Sequence, residues 1–493
     1  MIAAHLPALA VVVPLAAAPL IVLVRHAGAA WALAVAAAWF SFGASLALAA
    51  QVADAGVVSY AMGNWPPPWG IEYRVDALSA FVVVLVSAIG AAVAPYALKS
   101  VAAEVPGELR YLYYAMHCLC LAGLLGMAMT GDAFNLFVFM EVASLAMYVL
   151  IALGRDRRAL LASYQYLLLG TIGATFYVIG VGVLYLQTGT LNIADMAARL
   201  PAVAGGRPAP AALAFITAGM SLKLALFPLH LWLPNAYAYA PSAATAFLAA
   251  TATKVSVYVL LRFHFSVFGE SAVTALLPMP EILIALSIAA IVTASLVAVW
   301  QADFKRLLAY SSVAQIGYIT LGIGLATRDG LTAAVVHLFN HGITKGALFL
   351  LAGGIVLRAG GARFENLRGL GRSMPLTALG ITLAGLSLIG VPGTAGFISK
   401  WYLVLGAIEA GMWWLAALVV LTSLIAVVYV WRFVEAAYLS EPGEAAPRPG
   451  EAPMPMLVVS WLMVAACLWF GFDTSFTVGG ASRAAQLLLG GAP

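Results

Sequence analysis

Five ionisable side chains lie inside long apolar stretches of this sequence: Glu141, Lys223, Lys254, Lys345 and Lys400. An ionised group deep in a bilayer costs at least about 2.5–3.5 kcal/mol on insertion scales, so each is a functional candidate that needs a partner. One such residue alone also reads as half of a buried salt bridge holding helices in register. Five together favour a pathway that moves protons or cations. Glu141, in Asn135-Leu-Phe-Val-Phe-Met-Glu141, has no cation within two helical turns of sequence. Its partner must come from another helix, and Lys223 is the best candidate. A neighbouring carboxylate and desolvation act on a lysine in opposite senses, so moving the carboxylate switches the lysine between holding and releasing a proton.

His337, His341 and Lys345 recur every fourth residue. On a helix they drift by about 40° and rise by about 6 Å per step, which lines them along one face. A stripe of titratable groups is a relay geometry, whereas a lone membrane histidine is more often a packing residue. His-x-x-x-His also suits a metal, but no acid or thiol lies nearby in sequence to complete a site. No metal and no cofactor is expected. Cys118, Cys120 and Cys467 all fall in apolar stretches and read as packing residues.

Two of the lysines stand beside helix breakers. After Lys223 come Pro228, His230 and Pro234; before Lys400 come Gly390, Pro392, Gly393 and Gly396. Pro228 removes a backbone donor and clashes with the carbonyl four residues back, which predicts a break just after Lys223. Unpaired carbonyls at membrane depth are tolerated only against protein or water, and such discontinuous helices mark ion sites in many transporters. His230 either joins the pathway or only satisfies freed carbonyls. Lys254, on the next span, would continue the route inward. Ser144, Ser311 and Thr344 are suited to holding water.

The elements that must position these groups are transmembrane helices. Of the 493 residues 64% are hydrophobic and 9% charged, against roughly a quarter charged in a soluble domain. Apolar runs long enough to cross a bilayer recur throughout. Fourteen spans are expected, near 6–24, 29–50, 74–97, 112–130, 133–153, 161–187, 210–229, 243–262, 280–300, 307–326, 330–357, 376–404, 412–436 and 454–471, making an all-α polytopic membrane protein. The first apolar run, from near Leu6, lacks a basic leader and reads as a retained span rather than a signal peptide. The stretches 65–70, 201–210 and 441–453 read as loops. With alternating sides from an outside N-terminus, fourteen of the 24 Lys and Arg, Lys305, Arg306 and Arg448 among them, fall on one face and six on the other. That bias marks the first face as cytoplasmic. The remaining four are the lysines within spans. No basic block suggests nucleic acid.

Two interrupted segments five spans apart suggest a duplicated unit. Helices 1–3 would occupy 1–110, a first five-helix repeat 111–265, a second 278–438, and the last helix 439–493. An odd number of helices inverts the second copy in the membrane. Lysine precedes the breaker in one copy and follows it in the other, as inversion permits.

Phe-Met-Glu141, Lys223-x4-Pro-x-His-x-Trp-Leu-Pro-x-Ala-x3-Ala-Pro-Ser242, Asp303-Phe-Lys-Arg-Leu-Leu-Ala-Tyr-Ser-Ser312 and His337-x3-His341-x3-Lys345-Gly-Ala-Leu-Phe-Leu resemble the antiporter-like subunits of Mrp-type cation/proton antiporters, NADH–quinone reductase and membrane-bound hydrogenases. The resemblance covers roughly residues 70–440. It implies fourteen helices, two inverted repeats and a horizontal chain of charged, hydrated groups. It further implies that Glu141 and Lys223 form the coupling pair, that Lys254, His337, His341 and Lys345 relay, and that Lys400 is the terminal exchange site. Where the chain stops implies neither the long lateral helix of one reductase subunit nor the C-terminal region of the large Mrp subunit. Size and motif look most like the D subunit of an Mrp antiporter, although Val-Pro-Gly at 391–393 departs from the tandem prolines frequent there. The partners implied are other integral membrane subunits and lipid, with protons and sodium as the ions, in a bacterial or archaeal cytoplasmic membrane. The alternative is a proton-pumping subunit of a redox complex whose redox centres lie elsewhere. With no acid other than Glu141 within the core, this subunit should handle mainly protons.

Overall fold

The structure, a computed structural model, describes residues 2–441 and 450–490. Most of the predicted loop at 441–453, with Arg448, lies outside the described residues. The helices are α1 (Leu6–Val24), α2 (Ala27–Ala55), α3 (Ala77–Glu104), α4 (Arg110–Met129), α5 (Ala133–Ala152), α6 (Arg158–Thr188), α7 (Ile193–Val203), α8 (Pro208–Leu224), α9 (Trp232–Tyr239), α10 (Ser242–Leu261), α11 (Glu270–Leu276), α12 (Met279–Val299), α13 (Phe304–Leu325), α14 (Arg328–Ala359), α15 (Phe364–Leu367), α16 (Leu370–Ser373), α17 (Pro375–Ile389), α18 (Ala395–Glu409), α19 (Trp413–Val434), α20 (Met454–Phe472) and α21 (Ser475–Leu488).

Twelve helices among the described residues are long and apolar enough to cross a membrane. The two other expected spans are interrupted: 376–404 is a helix, a break and a second helix, α17–α18, and 210–229 covers α8 and the break, with the second helix, α9, beyond its expected end. A count of fourteen rests on taking each interrupted pair as one crossing. Besides the short helices α9, α11, α15 and α16, three features lay outside the predicted spans. Strands β1 (Val58–Ala61) and β2 (Glu72–Val75) pair antiparallel around the expected 65–70 loop, and α7 and α21 are further helices in the stretches after α6 and α20.

Burial sorts the bundle into a shell and a centre. α1, α2, α6, α12, α19 and α20 are less than half buried, whereas α10 is wholly buried and α13 nearly so. α10 packs against α3 and α14. Small side chains permit that approach: a methyl group on Gly353 of α14 would fall 2.6 Å from the Ser242 Cβ of α10. Lys254 therefore sits on a helix whose every face meets protein, and His337, His341 and Lys345 on the buried part of α14, where an ionised group can find partners.

Two short bridges tie the bundle in matching fashion. Asp132 caps α5 through the Asn135 amide (2.6 Å) and bridges to Asn192 beyond α6. Asp303 caps α13 through the Arg306 amide (3.0 Å) and bridges to Arg363 beyond α14. In both cases a side-chain oxygen satisfies one of the free amides of a helix start.

Candidate proton pathway

The first break falls where the sequence places it, just after Lys223. α8 ends at Leu224, and Ala225 takes a left-handed conformation (φ 62°), its amide returning to the Leu222 and Ser221 carbonyls. Pro228 sits in the connecting turn, four residues past the last helical residue, Leu224, where its ring has no continuing helix to clash with. The indole of Trp232 donates to the Leu222 carbonyl at 3.0 Å, as a buried indole N–H requires. His230 takes no such part: its Nδ1 makes no hydrogen bond and its ring stacks on Phe227, centroids 5.3 Å apart. Lys223, in the last turn of α8, is buried; its Nζ donates to Ser144 Oγ at 2.8 Å and lies 3.6 Å from Glu141 Oε1. Glu141 is a quarter exposed, on the flank of α5 that also carries the exposed Phe134, Val138 and Leu145. Ser144 stands one turn further along α5, so Lys223 bridges a carboxylate and a hydroxyl of one helix.

On α14 the predicted stripe is present and buried. His337 and His341 stack with centroids 6.0 Å apart. His337 is held from both sides, Nδ1 to Ser399 Oγ at 2.7 Å and Nε2 to Gln315 Oε1 at 2.8 Å. His341 makes no side-chain hydrogen bond to protein. Lys345 Nζ donates to the Leu308 carbonyl (2.8 Å) and to Ser311 Oγ (2.5 Å) on α13. Lys254, on α10, donates to the Ala249 carbonyl at 2.5 Å and is a charge neighbour of His337, His341 and Lys345. No hydrogen bond joins Lys223 to Lys254 among the described residues. The aromatic rings of Tyr166, Trp232 and Tyr237 meet near the first break, Tyr166 stacked on Trp232 at 3.9 Å.

The second break is built differently. α17 ends at Gly390 (φ 91°), Gly393 is also left-handed (φ 84°), and α18 starts at Ala395. Lys400 reaches back from α18 to the open end of α17, donating to the Ile389 carbonyl at 2.7 Å and the Leu388 carbonyl at 3.5 Å. Its other contacts are Ser423 Oγ at 2.9 Å and the face of Tyr318, 4.7 Å away. A cation is favoured at the negative end of a helix dipole and over an aromatic face.

Sequence reasoning missed several of these partners. Gln315, Tyr318, Ser399 and Ser423 join His337 and Lys400 into one network, with Tyr318 Oη 2.8 Å from Thr422 Oγ1. Gln315 was detectable as an uncharged amide inside an apolar run; the hydroxyls carry no signal in one sequence. Ser144 and Ser311, expected to hold water, bind the lysines directly. Thr344 instead contacts Ser387 at 3.1 Å. Lys305, assigned to a loop face, is 4% exposed in the first turn of α13. The three cysteines are buried and free. Among the described residues no group of three or more His, Cys, Asp or Glu gathers as a metal site.

A multi-helix membrane bundle with discontinuous helices beside buried ionisable groups is of the transporter class. The chain belongs to the NADH:quinone oxidoreductase/Mrp antiporter transmembrane family, matched over residues 130–426. It is 44% identical to NADH-quinone oxidoreductase subunit N of Desulforudis audaxviator, covering 90% of this chain and 89% of that one. It is 32% identical to the D subunit of the Na+/H+ antiporter of Alkalihalophilus pseudofirmus, covering 74% and 72%. Among solved structures it matches a chain of the Mrp complex from Dietzia sp. with a TM-score of 0.90 at 26% identity, over 99% of this chain and 98% of the other.

Proposed function

We propose that this chain is the proton-translocating subunit of a multi-subunit complex in a prokaryotic cytoplasmic membrane. Protons are handed along Glu141 and Lys223, then Lys254, then Lys345, His341 and His337, to Lys400. The carrying observation is the network at the far end of α14: His337 is hydrogen-bonded to Gln315 and Ser399, and Lys400 follows Ser399 directly and lies on Tyr318. His337 and Lys400 are the groups there that can give or take a proton, and both pack on the ring of Tyr318. His341, unpaired between His337 and Lys345, is free to donate or accept. The part-exposed Glu141 carboxylate would be costly against lipid, so its flank of α5 is the place for a neighbouring subunit. The chain itself makes and breaks no covalent bond other than those to protons.

The matching Asp132–Asn192 and Asp303–Arg363 bridges support the reading of 111–265 and 278–438 as repeats. On the alternating topology from an outside N-terminus they fall on opposite faces, as inversion requires.

Two assemblies are favoured by specific observations. The 32% identity to a Na+/H+ antiporter D subunit favours a Na+/proton antiporter. The 44% identity to a subunit N favours a respiratory, reductase-like complex, and the two are comparably supported. Purifying the native complex and identifying its partners separates them: small antiporter subunits in one case, iron–sulfur subunits in the other. The pathway itself is tested by proton flux in vesicles. Lys223→Met with normal assembly and unchanged flux would refute it.

A further inference from the structure

The face that carries most of the arginines holds a cavity of about 770 Å3, between the ends of α3, α9 and α14 and the starts of α10 and α13. Its lining includes three carboxyl groups, Glu104, Asp156 and Asp303, and four arginines. The carboxyls are fixed. Glu104 accepts from the Ser242 amide and hydroxyl, both at 2.9 Å, Asp303 caps α13, and Asp156 pairs with Arg158 at 2.6 Å. Lys305 is the exception. It lines the cavity yet is buried, and its Nζ has a single hydrogen bond, to the Ala240 carbonyl at 3.0 Å. Among the described residues no carboxylate lies within ion-pair distance of it.

Lys305 is also placed one step from the relay. Lys345 docks on α13 at the Leu308 carbonyl and the Ser311 hydroxyl. Those positions are three and six residues beyond Lys305 on the same helix, roughly 4.5 and 9 Å along its axis. A lysine with two free N–H groups therefore lies at the cavity end of the helix on which Lys345 docks.

We propose that Lys305 is the port through which protons pass between water on the basic face and Lys345. An N–H bond of the Lys305 ammonium breaks as the proton moves, through the Ser311 hydroxyl or one water, to the free amine of Lys345. The Lys305 amine then takes a proton from cavity water, and the reverse order serves outward flow. Five cationic side chains against three carboxyls line the cavity, which opposes a metal cation moving bodily while a proton arrives through water. This rests on the pathway proposed above.

The test uses the assembled complex in vesicles with the basic face accessible. Lys305→Arg keeps a cation that can still reach Ala240 but cannot release its proton. Assembly should be normal and proton flux at least about tenfold lower, as for loss of a general acid–base group. Lys305→Cys should be equally slow. Aminoethyl methanethiosulfonate added at that face, which rebuilds a titratable amine, should recover the flux. The trimethylammonium reagent of the same charge should not, and the three native cysteines are buried. Full flux in Lys305→Arg, no reaction from that face, or equal rescue by both reagents would overturn the port. Lys345→Met is the control: if it leaves flux intact, the pathway itself has failed rather than the port.

Discussion

At the first break the lysine stands before the interruption and faces a carboxylate; at the second it stands after it and faces none. Lys223 has Glu141 and Ser144 as partners, and the open end of its helix is closed by the neutral indole of Trp232. Lys400 closes the open end of α17 itself, with Ser423 and the Tyr318 ring completing its surroundings. One break is a charge pair, the other a cation held by dipoles. The difference assigns work. A pair whose acid reaches the flank of the molecule can be opened or closed by a neighbouring subunit. A cage of backbone carbonyls is fixed, and suits a terminus where the proton is finally exchanged.

The largest expected effect comes from breaking the pair. Glu141→Gln leaves the Lys223 ammonium without its counter-ion, although the part-exposed site lets water take over some of that role, and proton flux in vesicles should fall roughly 100-fold. A similar loss in Lys400→Gln would be no surprise for transport. That variant should also lower the melting temperature of the complex, because two carbonyls lose their donor at about 1–3 kcal/mol for an unmet buried group. Glu141→Gln should leave melting less affected, which separates pair from cage. Trp232→Phe removes the one side-chain donor to the Leu222 carbonyl, which keeps the Ala225 amide. It should cost about 0.5–1.5 kcal/mol of stability with flux reduced only a few-fold. Gly390→Ala places a methyl 2.9 Å from Lys400 Cδ at φ 91°, and left-handed backbone alone costs roughly 1–2 kcal/mol. Its stability loss should shrink to that backbone share in a Lys400→Ala background, which removes the clash. Ser423→Ala is the mildest, about 1 kcal/mol or less, with flux close to normal.

What was legible in the sequence follows from cost. Lysines and a glutamate inside apolar runs are expensive enough to stand out, so Glu141, Lys223, Lys254, Lys345 and Lys400 were visible, and period four put His337, His341 and Lys345 on one face. The span pattern was readable because the bilayer demands long apolar runs. The break just after Lys223 was readable from Pro228, but the residue that turns the chain there, Ala225, was not, since an alanine in a left-handed turn carries no composition signal. Lys305 was hidden by its place at a helix end, where a lysine ordinarily reaches water. The partners of His337 and Lys400 come from α13, α18 and α19, brought together only by packing.

The central claim is that protons pass along the buried stripe, and His341 stands at its middle, where a detour is hardest. Proton flux through the assembled complex carrying His341→Phe, measured with a pH-sensitive dye in vesicles, tests it most directly. The account predicts normal assembly and at least about a tenfold loss, the range for removing a proton-transfer group. Flux equal to that of the unaltered complex would contradict it.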